Sequence, residues 1–484
     1  MQESFDCLVI GAGMSGLTAS IRLAMFGKKV ALIEKHSIAG GLNSYYRRGT
    51  RLLDVGLHAL TNFSLPHEKH QPLNRLLRQL RIPYGDLKLQ EQHRSRVVFP
   101  FGDFSFENRS STFWDQLFLA FPEDQQGLQA LCHEVRTFSE LDLNHPAYQS
   151  ARQKVSSYLH SQELMEVLFC PLLIYGSAWE NDCDWVQFVV MFKAIFDQGF
   201  AMPQGGVRRF LELLQQRALQ EGVQFFYRHQ VKSLLTDADR KVTGVLMEDG
   251  KHFTAPMIFS SMGALETFAR CDAWKNHPQQ QQAEDFTPAA AHFSFCESIF
   301  FLKEKASHWG MKDTIVFANQ KNRLSYQCPE DKINADSAVI CCPDHYGRKE
   351  EESGDDQSDG EGVIRITFMA NPHWWCAQDR KSSSYLEAKE EVKKEAVKMI
   401  KMLYPQFEES FITFSDVFTP HTLHRYTGHH LGSVYGSPTK YRDGKTPISK
   451  LYLTGTDQGF LGVIGASLSG ITVANRYALG GEFL

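Results

Sequence analysis

The chain has 484 residues, 43% hydrophobic and 22% charged, with a formal net charge of −5. That length is too great for one simple core and predicts two intertwined domains, while the acidic balance argues against nucleic acid as the main partner. Ten cysteines occur without C-x-x-C spacing, their only close pair being Cys341-Cys342. A zinc or disulfide framework is therefore not expected, and a reducing compartment is favoured.

The first predicted elements are a buried strand ending Cys7-Leu8-Val9-Ile10, a glycine turn, and a helix that opens after it. In the run Gly11-Ala12-Gly13-Met14-Ser15-Gly16, the first glycine permits a tight turn and the second lets the backbone approach a pyrophosphate. The third lets helix and strand pack closely. The helix dipole adds roughly half a positive charge at that end. A second strand, Val30 to Ile33, ends at Glu34, whose carboxylate suits an adenosine ribose. This pattern leaves NAD and FAD both open. Lys35 follows, then Gly40-Gly41-Leu42-Asn43 and Asp54-Val55-Gly56-Leu57-His58. A glycine pair so soon after the ribose acid suits a backbone running beside an elongated FAD.

Further on, Leu73, Leu76-Leu77, Leu80 and Ile82 predict a short amphipathic helix ending before Pro83. Residues 95–106 read as strand with a turn at Gly102-Asp103, and 110–200 as a Phe-rich helical cap over a substrate cavity. After Gly205-Gly206 come a helix from Val207 to Leu219 and strands at Gln224 to Tyr227 and Val231 to Leu235. A hairpin of Val242 to Met247 with Lys251 to Thr254 follows, then a strand from Ile258 to Ser261. Strands near 292–303 and 363–370 predict an antiparallel floor. Seven carboxylates between Glu350 and Glu361 predict a disordered loop over 348–362. Ser384-Tyr385-Leu386-Glu387 has capping-box spacing and opens a helix whose Val392, Ala396, Met399, Ile400 and Leu403 share a face. His421, His424, His429 and His430 crowd ten residues, but their spacing fits no common zinc pattern, so no metal is expected. Last, Leu451-Tyr452-Leu453-Thr454-Gly455-Thr456-Asp457 ends a strand, and Gly459, Gly462-Val463-Ile464 and Gly465 lead a closing helix. This is a second phosphate- or flavin-binding device, with Asp457 accepting a ribityl hydroxyl or capping that helix.

At these residues the sequence resembles the phytoene desaturase family of flavoproteins, which also holds carotenoid isomerases and retinol saturases. It resembles the amine oxidase group more distantly. The resemblance rests on the N-terminal fingerprint with Gly40-Gly41, on Leu53-Asp54-Val55-Gly56, and on Met202-Pro203-Gln204-Gly205-Gly206. It also rests on Thr419-Pro420-His421-Thr422, Arg425-Tyr426-Thr427-Gly428, Gly432-Ser433-Val434-Tyr435-Gly436 and Gly455-x-Asp457. It implies an α/β fold: a Rossmann-like, glutathione-reductase-type FAD domain from 1–65, 203–288 and 415–484, with an inserted α+β substrate domain from 66–202 and 289–414. It implies FAD as cofactor, held by 11–16, Glu34, Lys35, 40–43, Val231 on the adenine side, Gly455, Asp457 and 462–464. His58 is implied beside the isoalloxazine as the catalytic candidate, and the histidine-rich segment at the flavin and substrate interface. Phe460 and Leu461, near the flavin by the same comparison, stand where many desaturases carry a Thr or Ser and a Pro.

The implied activity is hydride exchange between flavin N5 and a C–C bond of a hydrophobic polyene or isoprenoid, in either direction. The alternatives are a retinol-saturase or carotenoid-isomerase role, an amine-oxidase-like enzyme, and a non-catalytic flavoprotein. The expected setting is cytoplasmic, with peripheral attachment to the inner membrane face through the 110–200 block. The first strand begins by about residue 5, leaving no room for a cleavable signal. The longest apolar run, Val167 to Trp179, contains Pro171 and Gly176 and is shorter than the ~20 residues a spanning helix needs.

Overall fold

The computed structural model describes residues 2–56, 59–139, 148–275, 289–347 and 361–480. Its centre is a five-stranded parallel sheet in the order Gln224–Tyr227, Val30–Glu34, Cys7–Ile10, Ile258–Ser260 and Leu451–Leu453. The sequence-adjacent strands Cys7–Ile10 and Val30–Glu34 are buried at every position, because both faces of the parallel sheet are covered, Leu8, Ile10, Ala31 and Ile33 packing with Val231, Val245 and Phe253 on the face away from the helices. One face carries the helices Met14–Met25 and Gly462–Ala478. These approach so closely that a Cβ on Gly470 would lie 2.0 Å from the Ser15 carbonyl oxygen. A smaller sheet pairs Gln2–Ser4 with His252–Thr254, and then Val242–Met247 and Val231–Thr236 as an antiparallel meander.

The second layer is a seven-stranded sheet in the order Ile412–Phe418, Ser294–Leu302, Gly362–Ala370, Ser337–Cys341, Ile315–Asn319, Ser95–Phe99 and Gly102–Phe106. Only the Ile315–Asn319 and Ser95–Phe99 pair is parallel. The Ile412–Phe418 strand crosses position 415 and stays in this sheet. Strand alternation gives the sheet two faces. Cys296, Phe300, Ile364, Ile366 and Phe368 pack with the long helix Ser383–Leu403 through Val392, Ala396, Met399 and Ile400. The opposite face carries Phe295, Glu297, Ile299, Arg365, Thr367 and Phe317 and looks toward the Tyr45–Arg48 and Arg51–Asp54 hairpin, where Leu53 meets Ile299 and Phe301.

Several local expectations are corrected. The turn between the 95–106 strands falls at Pro100-Phe101, and Gly102 instead pairs with Phe99; proline is suited to the turn by its fixed φ and missing N–H. The helix before Pro405 is capped by Ser382, whose hydroxyl accepts from the Tyr385 amide, and not by Ser384. Of the acidic 348–362 segment, residues 348–360 lie outside the described ones. Glu361 pairs with Arg51 and Gly362 opens a strand, so the loop's expected end is structured. The aromatics of the 110–200 block largely pack on one another, Phe113 stacking on Phe196 at 4.9 Å and Trp114 on Phe192 at 5.7 Å. They form core more than cavity wall. Among the described residues, no helix is long and apolar enough to cross a membrane.

Candidate functional site

The glycine turn after Cys7–Ile10 is shaped at each glycine for a different reason. Gly11 has φ +92°, and a Cβ there would strike Ser261 Oγ at 2.4 Å. Gly16 presses on the turn itself, since a Cβ would lie 1.9 Å from the Gly11 carbonyl oxygen. Gly13 differs. Its backbone is ordinary, with φ −71° and ψ −179°, and a Cβ would meet nothing within 4 Å. The space it leaves belongs to a cleft lined by Gly11, Gly13, Met14 and Ser15 at the start of the Met14–Met25 helix. No side chain caps that helix, so its first amides are available to an anion.

Glu34, Lys35 and 40–43 complete the near wall, and Val231 and Gly455 line it from later segments. Both oxygens of Glu34 are engaged, one accepting from the Ala12 amide at 2.7 Å and the other from His36 at 2.8 Å. The carboxylate thus locks the turn to the second strand, and each oxygen retains lone-pair capacity for a ribose hydroxyl. Gly40 (φ +121°) bridges to Gly13 and donates to the Ala12 carbonyl at 2.8 Å. A Cβ on Gly41 would come 3.4 Å from Gly13 Cα. Burial lowers the pKa of Lys35, with Glu34 opposing that shift.

Ala12 and Gly16 support the cleft without lining it, and Gly462, Val463 and Ile464 begin the closing helix outside it. Val463 and Ile464 are buried, and Ala466 reaches the cleft from the same helix. Asp457 is 2% exposed. Its carboxylate accepts from the amides of Ser437, at 2.7 Å, and Ala264. The helix end it serves is therefore that of Ala264–Ala269, not of the helix that follows it in sequence. His58 lies outside the described residues.

The four crowded histidines sit on and after the helix Pro420–Thr427, whose C-terminal end lines the cleft through Tyr426 and Thr427. His36 meets the Tyr426 ring edge-on at 5.2 Å, and the His430 amide donates to Glu266 at 2.6 Å. His424 Nδ1 lies 2.8 Å from the His429 carbonyl oxygen, and His429 itself lines the cleft. Sequence reading missed Glu266, Arg270, His229 and Ser261, which also line it. Their one available signal was position just after predicted strands, because parallel strands place their C-terminal ends at one edge.

Beyond the cleft, the closing loop meets the end of the helix Gln162–Gly176. A Cβ on Gly176 would lie 3.2 Å from Leu461 Cδ1. The Tyr435 hydroxyl donates to the Ile174 carbonyl, and Lys440 Nζ donates to the Tyr435 carbonyl at 2.8 Å. Burial pulls Lys440 down to about 8, with Asp457 opposing. On the inner face of the seven-stranded sheet, Arg365 and Glu297 form a buried ion pair, and Arg365 also donates to the Asp54 carbonyl at 3.2 Å. Asp54 faces Arg208 at 3.2 Å and occupies the place a side chain on Gly206 (φ +81°) would take. This explains Gly206, where the hairpin seats against the restart of the parallel sheet, while Gly205 answers only to its own backbone, at φ +89°.

An open position at Gly13, an uncapped helix N-terminus, a carboxylate at the second strand's end and cations at Lys35 and Arg270 fit a dinucleotide with two phosphates. A family model described as flavin containing amine oxidoreductase matches residues 14–477. Prolycopene isomerase 2 of an Oncidium hybrid cultivar is 23% identical, with 98% of this chain and 84% of that protein covered. All-trans-retinol 13,14-reductase of Danio rerio is 22% identical, with 98% and 86% covered. Among solved structures, an oxidoreductase from Methanosarcina mazei has a TM-score of 0.66 at 16% identity, covering 98% of this chain and 99% of its own. That likeness shows a shared α/β fold. With the family match spanning nearly the whole chain and carotenoid- and retinol-converting proteins among its relatives, this protein belongs to the flavin containing amine oxidoreductases and is an FAD-dependent oxidoreductase.

Proposed function

We propose that the protein exchanges a hydride between flavin N5 and a C–C bond of a hydrophobic polyene or isoprenoid. The observation that carries this reading is the group of apolar side chains Phe295, Ile299 and Phe317 that flanks the Arg365–Glu297 ion pair on the inner face of the seven-stranded sheet, on the side of the hairpin that leads from the cofactor cleft. FAD, when bound, supplies the hydride-accepting or hydride-donating atom. The chain's share is binding and orientation, which alone account for a large part of such a barrier. We read the parallel sheet as a glutathione-reductase-type FAD domain drawn from 1–65, 203–288 and the chain that follows the Ile412–Phe418 strand. The remaining segments form the substrate domain. The residues at 11–16, Glu34, Lys35, 40–43, Val231, Gly455, Asp457 and 462–464 hold or brace the cofactor in this reading. Gly13, Met14 and Ser15 present amides to the pyrophosphate, and Glu34 orients the ribose. His58, four residues after Asp54 in the sequence, is the candidate to act beside the flavin, as the family resemblance implies.

Delivery of such a substrate implies a peripheral membrane contact. Leu119, 85% exposed beside the half-buried Phe118 and Phe121, is the side chain placed to make it. The test is to purify the protein, record its visible spectrum, and incubate it anaerobically with polyene-containing lipid extract. Flavin absorbance together with loss or gain of two hydrogens in one isoprenoid is the expected result. Bleaching by amines and not by polyenes would replace the reading with an amine oxidase. A flavin inert to both would leave only a binding role.

A further inference from the structure

We propose that the hairpin of Tyr45–Arg48 and Arg51–Asp54, with a second cleft beside it, seats the phosphate headgroup of an anionic phospholipid in a membrane surface. This extends the membrane contact of the proposed function to a lipid class, and it stands apart from which molecule the flavin acts on. The cleft lies between the hairpin and the helix Pro420–Thr427. Its floor is apolar, with Val55, Phe418 and Leu423 packed together. Arg47 and Tyr426 line it and are exposed to solvent. It shares Gly41, Tyr426 and Thr427 with the cofactor cleft, so a lipid seated here adjoins the site where a hydrophobic substrate is to be received.

Charge and register point to the occupant. No Asp or Glu is among the described residues that line this cleft, although the chain as a whole carries a net charge of −5. Asp416 is taken up behind it, accepting from Tyr46 Oη at 3.0 Å and from Arg48 Nε at 3.2 Å. Arg51 pairs with Glu361. Arg47 has no ion-pair partner among the described residues, and it stands directly opposite Leu52 in the hairpin ladder. Leu53 turns toward the seven-stranded sheet, against Ile299 and Phe301. Strand alternation therefore turns Leu52 the other way, where it is 38% exposed. One face of the hairpin thus presents a free guanidinium beside a bare apolar side chain. That pairing suits the boundary of a bilayer, where the guanidinium meets phosphate and the leucine meets the first methylenes. A soluble nucleotide would use the arginine but leave Leu52 in water. Tyr45, Tyr46 and Tyr426 also line the cleft, and tyrosine settles at headgroup depth with its ring in the apolar layer and its hydroxyl in the wet one. An anionic surface repels the protein's overall charge, so attraction has to come from a local patch of this kind.

The test floats the full FAD-loaded protein at low salt with vesicles of phosphatidylcholine alone, or with about one third of it replaced by phosphatidylglycerol. Wild type should prefer the anionic vesicles. Arg47→Ala should weaken that binding about 5-fold, the share of one arginine near an anionic surface. Arg47→Lys should retain most of it, and Leu52→Ser should lower binding to both kinds of vesicle. Lys401→Ala removes the same charge from an exposed position on the helix Ser383–Leu403. That helix packs on the opposite face of the seven-stranded sheet from the hairpin, so this variant should bind like wild type. Flavin spectrum and melting temperature should match wild type in all four. No preference for anionic vesicles, binding that survives Arg47→Ala, or an equal loss in Lys401→Ala overturns the inference. Saturable binding of ADP by the FAD-loaded protein, abolished in Arg47→Ala, would make the cleft a nucleotide site and overturn it too. A flavin that fails to react with polyenes overturns the polyene reading and leaves this one standing.

Discussion

Alanine at Gly16 and at Gly13 should fail in opposite ways. At Gly16 the new methyl would lie 1.9 Å from the Gly11 carbonyl oxygen, and real Cβ contacts stay beyond 3.0 Å, so turn and helix must separate by more than 1 Å. Replacing a helical glycine gains about 0.5–1 kcal/mol of propensity. Overpacking against backbone that cannot rotate away costs about 1–3 kcal/mol, so the clash outweighs the gain and the apoprotein loses about 1–2 kcal/mol. The same displacement withdraws helix amides from the pyrophosphate. One charge-assisted hydrogen bond is worth about 1.5–3 kcal/mol, or roughly 10- to 150-fold in FAD Kd.

At Gly13 the backbone already suits alanine and nothing lies within 4 Å. Apoprotein stability should therefore stay within about 0.5 kcal/mol of wild type. The methyl would nevertheless occupy cofactor space, so FAD should bind more weakly. Denaturant unfolding of the apoprotein and flavin fluorescence titration read the two effects separately. Wild-type FAD affinity in Gly16→Ala, or a destabilised apoprotein in Gly13→Ala, would refute the packing argument for the turn.

Arg365→Ala should lower unfolding stability by about 3–5 kcal/mol, because it strands Glu297 in the core. Arg365→Met with Glu297→Met should recover most of that loss in denaturant titration, since the pair's cost is desolvation. Lys440 titrates near 8 when folded against 10.5 when unfolded, so the unfolded chain binds more protons between those values. Stability should carry the full penalty below about 8 and rise with pH toward 10.5; Lys440→Met should flatten that rise in unfolding midpoints taken at several pH values. Leu119→Glu should reduce partitioning onto liposomes several-fold without changing flavin content, and unchanged partitioning would count against the membrane contact.

Much of the cofactor cleft was legible in sequence because its parts are local. Gly11, Gly13 and Gly16 declare a turn and a helix start by spacing alone, and Glu34 closes a second strand whose other four residues, Val30 to Ile33, read as a continuous apolar run. Ser20, one turn after Gly16, bonds back to the Gly16 carbonyl at 2.8 Å. Residues that act through space were not legible in this way. Asp457 reads as the cap of the helix it precedes, yet Ala264 claims its oxygen from a segment nearly two hundred residues away in sequence. Arg270 and Glu266 carry no motif and gain their place only when the Ile258–Ser260 strand slots beside Cys7–Ile10.

By itself, then, the sequence determined the nucleotide turn, the alternation of strands and helices and the glycine-rich closure. Each is a matter of backbone conformation and periodicity within a few residues. Only the tertiary structure decided which carboxylate caps which helix and that the Phe-rich block is mostly core. Those outcomes depend on which distant surfaces meet, and burial and hydrogen-bond satisfaction are settled by that meeting.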